Sequence, residues 1–416
     1  MIHRYLSLVQ GPIARATLRT SVVLGVRLLV QAGTLLLIAR LLGPQQFGAF
    51  AGIAALALVL GTLSTLGTHL VLLGDISKAS RRRDDLLSFA LPTTLLCGGL
   101  LLTLYLALCV LVLHAADISL QVILAVGVAE ILLQPLIGLC VTEHHGLGRI
   151  ARAQLITLVP LVMRLMVAGG LWVLSPSDTL VIYAYGYGMA SVATLALVVQ
   201  TLPAPWPSPT RWRPPRAVEL KEAAGFAALS ITKAGPGELD KTLATRLLPL
   251  TSAGLYAASA RVIGATTLPV TAMALSALPR LFRDGESNSS QAITLSWWMF
   301  TCATGYGLAL AAVLWMMAPA FGWLFGPAYA GMDQLVRWSC IAVPAIALRL
   351  TSGTILMALG KAWVRAAFEA GGLVILMLSS IFLVQHLGLV GMPLALACSE
   401  WTMALAGFVF IAGKRR

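Results

Sequence analysis

The chain has 416 residues, 58% of them hydrophobic and only 11% charged, with a mean hydropathy of +0.88. Soluble domains carry about 25% charged residues, so an ordinary water-soluble fold is excluded. The formal net charge of +13 would suit nucleic acid, but the cations are scattered between apolar runs and no basic, aromatic-studded domain gathers them.

In chain order, residues 1–20 form a basic surface segment holding Arg4, Arg15 and Arg19. The apolar run after Arg19 is too long for a signal-peptide core and lacks a cleavage pattern, so it is expected to remain as a membrane helix. A hydrocarbon core about 30 Å thick takes roughly 20 apolar residues per helical crossing. Twelve runs qualify: 21–42, 47–73, 86–113, 119–141, 153–174, 180–202, 222–248, 252–279, 292–318, 333–358, 363–385 and 390–412. Between the sixth and seventh lies PAPWPSPTRWRPPR at 203–216, which no helix interior accepts. The expected organisation is an N-terminal half over 21–202, a cytoplasmic linker over 203–221, a C-terminal half over 222–412 and a basic tail at 413–416. Cys97, Cys109, Cys140, Cys302, Cys340 and Cys398 fall inside apolar runs with no metal or disulfide spacing, and read as small hydrophobes.

The two halves echo each other. A shift of 206 positions carries Arg40-Leu41-Leu42 onto Arg246-Leu247-Leu248, Gly48 onto Gly254, Phe50 onto Tyr256, Ala54 onto Ala260 and Arg27 onto Lys233. Leu147-Gly148-Arg149 is repeated in kind at Leu359-Gly360-Lys361. The fold class expected is all-α and integral to the membrane: twelve transmembrane helices as two parallel six-helix pseudo-repeats around a central cavity.

Charge sets the orientation. With a cytoplasmic N-terminus, the inner segments hold 20 of the 29 Lys and Arg residues and the outer loops none, which also supports an even number of spans. Both termini are then cytoplasmic. His144 and His145 fall in an inner loop and are expected to be solvated, whereas Trp323 and Tyr329 suit an interfacial aromatic belt.

Nine cations remain within the spans: Arg27, Arg40, Arg164, Lys233, Lys241, Arg246, Arg261, Arg337 and Arg349. Arg40, Arg246 and Arg337 lie near outer ends and can snorkel. The other six are deep, each costing about 2.5–3.5 kcal/mol at a helix centre, and are expected to face a wet interior as substrate-binding groups. Lys233 and Asp240 share a helix face, and Gly235-Pro236-Gly237 between them interrupts the seventh span. Local pairing of Glu238 with Lys241 is the competing, purely structural reading. Of the deep acids, Glu369 is expected to pair with Arg365 four residues before it. Glu130, Glu238, Asp240 and Glu400 are candidates for ion pairs with other helices or for binding a coupling proton or sodium ion. The duplicated cation at Arg27 and Lys233 argues for an anionic, diphosphate-bearing substrate.

The run Ala39-Arg40-Leu41-Leu42-Gly43-Pro44, followed by Phe47-Gly48, resembles the first hairpin of the polysaccharide biosynthesis exporters. These are the O-antigen and exopolysaccharide flippases of the multidrug/oligosaccharidyl-lipid/polysaccharide superfamily. Glu238-Leu239-Asp240-Lys241 with Gly254-Leu255-Tyr256, and Phe325-Gly326-Pro327-Ala328-Tyr329, are similar to the opening of that family's second half and to a later loop. Pro249 stands where Gly43 predicts a glycine. The resemblance implies a non-enzymatic flippase in the bacterial cytoplasmic membrane. It would carry an undecaprenyl-diphosphate-linked oligosaccharide across by alternating access, beside polymerase and assembly proteins. No organic cofactor or metal is expected, only possible coupling to H+ or Na+. The alternatives are a cation-coupled multidrug antiporter, which would favour a carboxylate-dominated cavity, and a membrane glycosyltransferase or polymerase, which would need charged external loops. A lipid II flippase would need two further helices.

Overall fold

The computed structural model describes residues 12–78, 83–111, 113, 118–174, 176–217, 219, 235, 237–267, 269–271, 273–274 and 290–413. Every regular element among them is helical, because a helix satisfies its own backbone polar groups where no water can. Eight helical stretches in these residues are long and apolar enough to cross a membrane. Two of them, Gly25–Ser64 with 40 residues and Trp363–Gly413 with 51, are long enough for two crossings at about 1.5 Å per residue. Both contain a break where a turn belongs.

The first break is Gly43, at φ 66° and ψ 169° inside Pro12–Ser64. Pro44 follows it, where its missing N–H costs nothing because a helix begins there. The expected first span thus extends back to Pro12, and the second reaches Ser64, turns, and continues as Thr68–Lys78. The second break is a short turn at Gly388–Val390, between helices Ala362–Leu387 and Gly391–Gly413. The remaining described spans are Arg83–Leu111, Leu120–Gly146, Ile150–Leu174, Thr179–Val199, Ser290–Phe325 and Met332–Ala358. The helix from Ser290 runs through Pro319 to Phe325, so half of the loop expected at 319–332 is helix. Residues 222–234 and 275–289, on which parts of the expected seventh and eighth spans fall, lie outside the described residues.

The Leu-Gly-Arg/Lys echo is a repeated helix end. Gly148 and Gly360 have φ of 70° and 68°, a left-handed conformation that suits glycine at a helix C-terminus. Arg149 N–H bonds back to the His144 carbonyl at 2.9 Å, and Lys361 N–H to that of Leu356 at 2.8 Å.

The described residues divide into two compact units. Unit 1 draws on Met1–Leu41 and Ala57–Ser230, and unit 2 on Leu42–Leu56 and Ile231–Arg416. Within unit 2 the two copies of the hairpin motif touch backbone to backbone. A Cβ on Gly254 would stand 1.8 Å from the Pro44 carbonyl oxygen, and one on Gly48 would stand 2.2 Å from that of Leu250. Thr245 Oγ1 donates to the Gly48 carbonyl at 3.3 Å, and Thr242 Oγ1 to that of Gly52 at 3.1 Å.

Unit 1 clamps the Pro-rich linker. Arg83 donates to Glu143 at 2.6 Å and to the Ala204 carbonyl at 2.8 Å, while Trp206 Nε1 donates to the other Glu143 oxygen at 3.1 Å. Arg213 donates to both oxygens of Glu219, at 2.7 and 2.9 Å, and to Asp85 at 3.2 Å. Its guanidinium lies 4.9 Å from the Phe89 ring centroid. His144 corrects the expectation of a solvated pair: the helix continues to Gly146, so His144 is buried in its last turn with Nε2 3.3 Å from Thr201 Oγ1. Tyr329 is likewise buried, packed against Phe325 at 5.4 Å between ring centroids, while Trp323 is exposed.

Two outcomes follow from this packing. Gly254→Ala and Gly48→Ala force backbone apart and should each cost about 1–3 kcal/mol. Gly264→Ala, which meets open space, should cost far less; equal thermal stability of all three in detergent would contradict the close contact. Separately, the Arg213 guanidinium holds the Glu219 carboxyl below its ordinary range. The folded value lies below the unfolded one, so the clamp is at full strength above the ordinary glutamate range and is lost as pH falls through the folded value. Cleavage of the linker by an acid-active protease should accelerate across that interval in wild type, and Glu219→Gln should flatten the dependence.

Candidate functional site

In unit 1 the charged centre is built around a π-helical turn, Val128–Leu133, inside the helix Leu120–Gly146. Such turns leave carbonyls without their usual helical partners. Here Ser64 Oγ donates to the Ile131 carbonyl at 2.7 Å, and the Glu130 carbonyl abuts Gly61, where a Cβ would stand only 2.3 Å away. The Glu130 side chain meets Arg164 at 3.1 Å, and Tyr187 donates a short hydrogen bond to the same carboxylate oxygen. Arg164 also donates to Ser191 at 3.0 Å, and its guanidinium stacks 3.5 Å from the centroid of the Tyr187 ring. Glu130 and Arg164 are both buried.

Unit 2 holds two charged centres. In the first, Lys241 Nζ lies 3.2 Å from Asp240 and 3.5 Å from Glu238, and donates to the Gly237 carbonyl. Arg261 reaches Glu238 at 3.0 Å, and Tyr256 donates to Asp240 at 2.8 Å. The i,i+3 pairing of Glu238 with Lys241 is therefore present, enlarged by Arg261 from another helix. In the second, Arg349 Nε is 2.5 Å from Glu400, with Nη1 3.8 Å from Glu369, and Arg365 meets Glu369 at 2.9 Å. Glu369, Glu400 and Arg349 are buried.

Of the six deep cations, Arg164, Lys241 and Arg349 are buried and engaged by carboxylates, while Arg261 is engaged but keeps 35% of its side chain exposed. Lys233 lies outside the described residues, as does Pro236 of the Gly-Pro-Gly interruption. Arg27 differs from the rest. It is half-buried within a membrane-crossing helix, and no acid pairs with it among the described residues. Leu29, 75% exposed, is two positions on, roughly 200° around the helix, so Arg27 is turned away from that exposed face. Near the outer ends, Arg40 and Arg246 are exposed, and Arg337 lies 6.0 Å from the centroid of the Trp315 ring.

Tyr187 and Ser191 were not singled out in the sequence, and Tyr256 only in the repeat and the family motif, although each bonds a buried charged group. Tyr183, Tyr187 and Ser191 recur every four residues in an otherwise apolar span, a polar stripe that marks a helix face turned toward a charge.

The family model described as polysaccharide biosynthesis protein matches residues 13–284. No curated protein matches the sequence. Among solved structures, an inward-facing multidrug resistance MATE family transporter of the MOP superfamily matches at a TM-score of 0.73 and 14% identity, over 95% of this chain and 98% of that one. The lipid II flippase MurJ, in an inward closed conformation, matches at 0.72 and 12% identity, over 94% and 87%. A MOP superfamily transporter from Pyrococcus furiosus, described as having a binding pocket of reverse polarity, matches at 0.68 and 14% identity, over 97% and 95%. At these identities the likeness establishes the fold: an all-helical, multi-pass membrane architecture shared by transporters and flippases.

The Glu130–Arg164 pair can be tested by a double-mutant cycle. Arg164→Met or Glu130→Leu alone strands the partner's buried charge and should cost about 3–5 kcal/mol. The Glu130→Leu/Arg164→Met double variant should recover a large part of the loss; additive destabilisation in thermal melts would refute the pairing.

Proposed function

The chain belongs to the polysaccharide biosynthesis protein family, and on that premise we propose that it flips an undecaprenyl-diphosphate-linked oligosaccharide across the bacterial cytoplasmic membrane. Transport proceeds by alternating access, from the inner to the outer leaflet, with both termini on the cytoplasmic side. The observation that carries this reading is Arg27. The other deep cations of the described residues are engaged by carboxylates, whereas Arg27 has no such partner among those residues and is half-buried in a membrane helix. An unpaired guanidinium suits a diphosphate, to which it can donate two charge-assisted hydrogen bonds at once. Lys233, its counterpart under the 206-residue shift, is the natural second ligand. A coupling proton or sodium ion would bind at Glu130, Glu238, Asp240 or Glu400, in competition with the cation each now holds.

Deletion of the gene in its host should leave a lipid-linked glycan trapped on the inner leaflet. Complementation with Arg27→Ala or Lys233→Ala should restore export to about a tenth of wild type or less, since a hydrogen bond to a charged group contributes about 1.5–3 kcal/mol. Arg27→Lys should fall between the two. Wild-type surface polysaccharide from the inserted Arg27→Ala/Lys233→Ala double variant would reject the reading.

A further inference from the structure

The deep ion pairs of the described residues differ in whether water can reach them. Glu130 with Arg164 is buried on both sides of the pair, and so is Asp240 with Lys241. Glu369 and Glu400 are buried together with Arg349 and Arg365. Glu238 with Arg261 is the exception: the two side chains keep 16% and 35% of their surface exposed. Protonating the acid of a buried pair strands its cation away from water. At Glu238 the freed guanidinium would keep part of its hydration.

The exposed side of this pair does not face acyl chains. Arg261 lies on the helix Leu250–Thr266 and Glu238 on the helical residues 237–247. The exposed residues beside them are Gly237, Gly264 and Ala265, and a Cβ on either glycine would meet no atom within 4 Å. Gly264 and Ala265 come three and four positions after Arg261, hence on its own helix face. Elsewhere the surface of the spans exposes large apolar side chains, as at Leu100, Val173 and Met316. A charged pair turned toward hydrocarbon would carry the insertion cost of both members. Open space beside a guanidinium, edged by glycine and alanine, is room for a polar ligand.

The way Glu238 is held indicates the chemistry of that ligand. Arg261 Nη1 donates to Oε1 at 3.0 Å, and Nη2 lies 3.0 Å from Oε2. This is the two-pronged arrangement in which a guanidinium also takes two oxygens of a phosphate. Lys241 Nζ stands 3.5 Å from Oε2, while its own hydrogen bonds go to Asp240 and the Gly237 carbonyl. The carboxylate therefore fills the seat an oxyanion would take. The charged and titratable groups around it are Asp240 and Lys241 on its own helix, with Arg261 and Tyr256 on Leu250–Thr266. Glu400, on Gly391–Gly413, is within electrostatic reach of Asp240. The two acids and two cations at this centre cancel, so an added anion is opposed unless one acid is neutralised.

We propose that Glu238 takes up a proton when an oxyanion of the phosphate class binds, and that the Arg261 it releases holds that anion. One carboxylate oxygen gains the proton, the acid becomes neutral, and the guanidinium stays charged throughout. The inference rests on the flippase reading for the diphosphate nature of the ligand, and takes nothing from Arg27.

The test is isothermal titration calorimetry of the full-length protein in lipid nanodiscs, in buffers of differing ionisation enthalpy. Farnesyl diphosphate serves as the lipid-borne probe and inorganic pyrophosphate as the free one. Wild type should take up about one proton more per bound ligand than Glu238→Gln. Relative to that variant, wild-type affinity should fall about tenfold per pH unit wherever unliganded Glu238 is ionised. Arg261→Gln, a separate readout, should weaken binding about tenfold or more. Proton uptake with farnesyl diphosphate alone supports the site for a lipid-borne ligand, and uptake with both probes supports it for a free oxyanion as well. Equal proton counts in wild type and Glu238→Gln overturn the assignment, as does binding of neither probe. Undiminished affinity in Arg261→Gln overturns it too, without need of the Glu238 variant. Normal export by the Arg27→Ala/Lys233→Ala variant would reject the cation reading and leave this one; proton uptake retained in Glu238→Gln would do the reverse.

Discussion

Hydrocarbon does not solvate charge, and the pairing of the buried charges among the described residues follows from that. Where a carboxylate is buried in a span, a cation from the same unit meets it. In unit 1 the pair is Glu130 with Arg164, carried on helices Leu120–Gly146 and Ile150–Leu174 and completed by Tyr187 and Ser191 on Thr179–Val199. In unit 2, Arg349, Glu369 and Glu400 sit on Val343–Ala358, Ala362–Leu387 and Gly391–Gly413. Three consecutive helices are stitched in each unit, with the acid on the first helix in one and the cation on the first in the other. Apolar residues can often pack such a core with equal stability, whereas removing one partner alone leaves a buried charge uncompensated.

The internal repeat leaves a physical trace beyond the sequence echo. Pro44 and Gly48 become Leu250 and Gly254 under the 206-residue shift, and the contacts obey the same rule: Pro44 carbonyl against Gly254, Leu250 carbonyl against Gly48. Each element of one copy meets the other element of its counterpart. That self-complementary pattern is the mark of an isologous contact, here made between two segments of one chain rather than two subunits. It explains why glycine stands at both positions. A side chain at either position would meet backbone of the other copy, the Leu250 carbonyl at Gly48 and the Pro44 carbonyl at Gly254.

Much of this was legible in the sequence because the membrane restricts the options. Span length answers to one physical requirement of the bilayer, and the described helices fall near the expected boundaries for that reason. Glu369 with Arg365 and Glu238 with Lys241 were readable because helical spacing alone brings them together. The long-range partners were not. Nothing local says that Glu130 meets Arg164, 34 positions away, or that Glu143 anchors both Arg83 and Trp206. His144 read as solvated and Tyr329 as interfacial because a helix running one turn further, or a loop folding back on itself, buries a residue without altering the hydropathy pattern. The π turn at Val128–Leu133 leaves no compositional mark at all.

Distance along its own helix from the following turn separates Arg27 from Lys241. Arg27 lies 16 residues before Gly43 in the same helix, which is about 24 Å along its axis. In a hydrocarbon layer about 30 Å thick, with the Gly43 turn at the outer face as the cation distribution proposes, Arg27 comes close to the inner headgroup level. Lys241, eight residues before Pro249, is only about 12 Å from its turn and so nearer mid-membrane. This gradient accounts for the pairing pattern. A cation at mid-membrane has no water to draw on and must hold a carboxylate, as Lys241 does with Asp240 and Glu238. A cation near the inner face retains partial hydration and costs less unpaired. On the proposed reading, that height is where the phosphate of an inner-leaflet lipid would replace water at the Arg27 guanidinium.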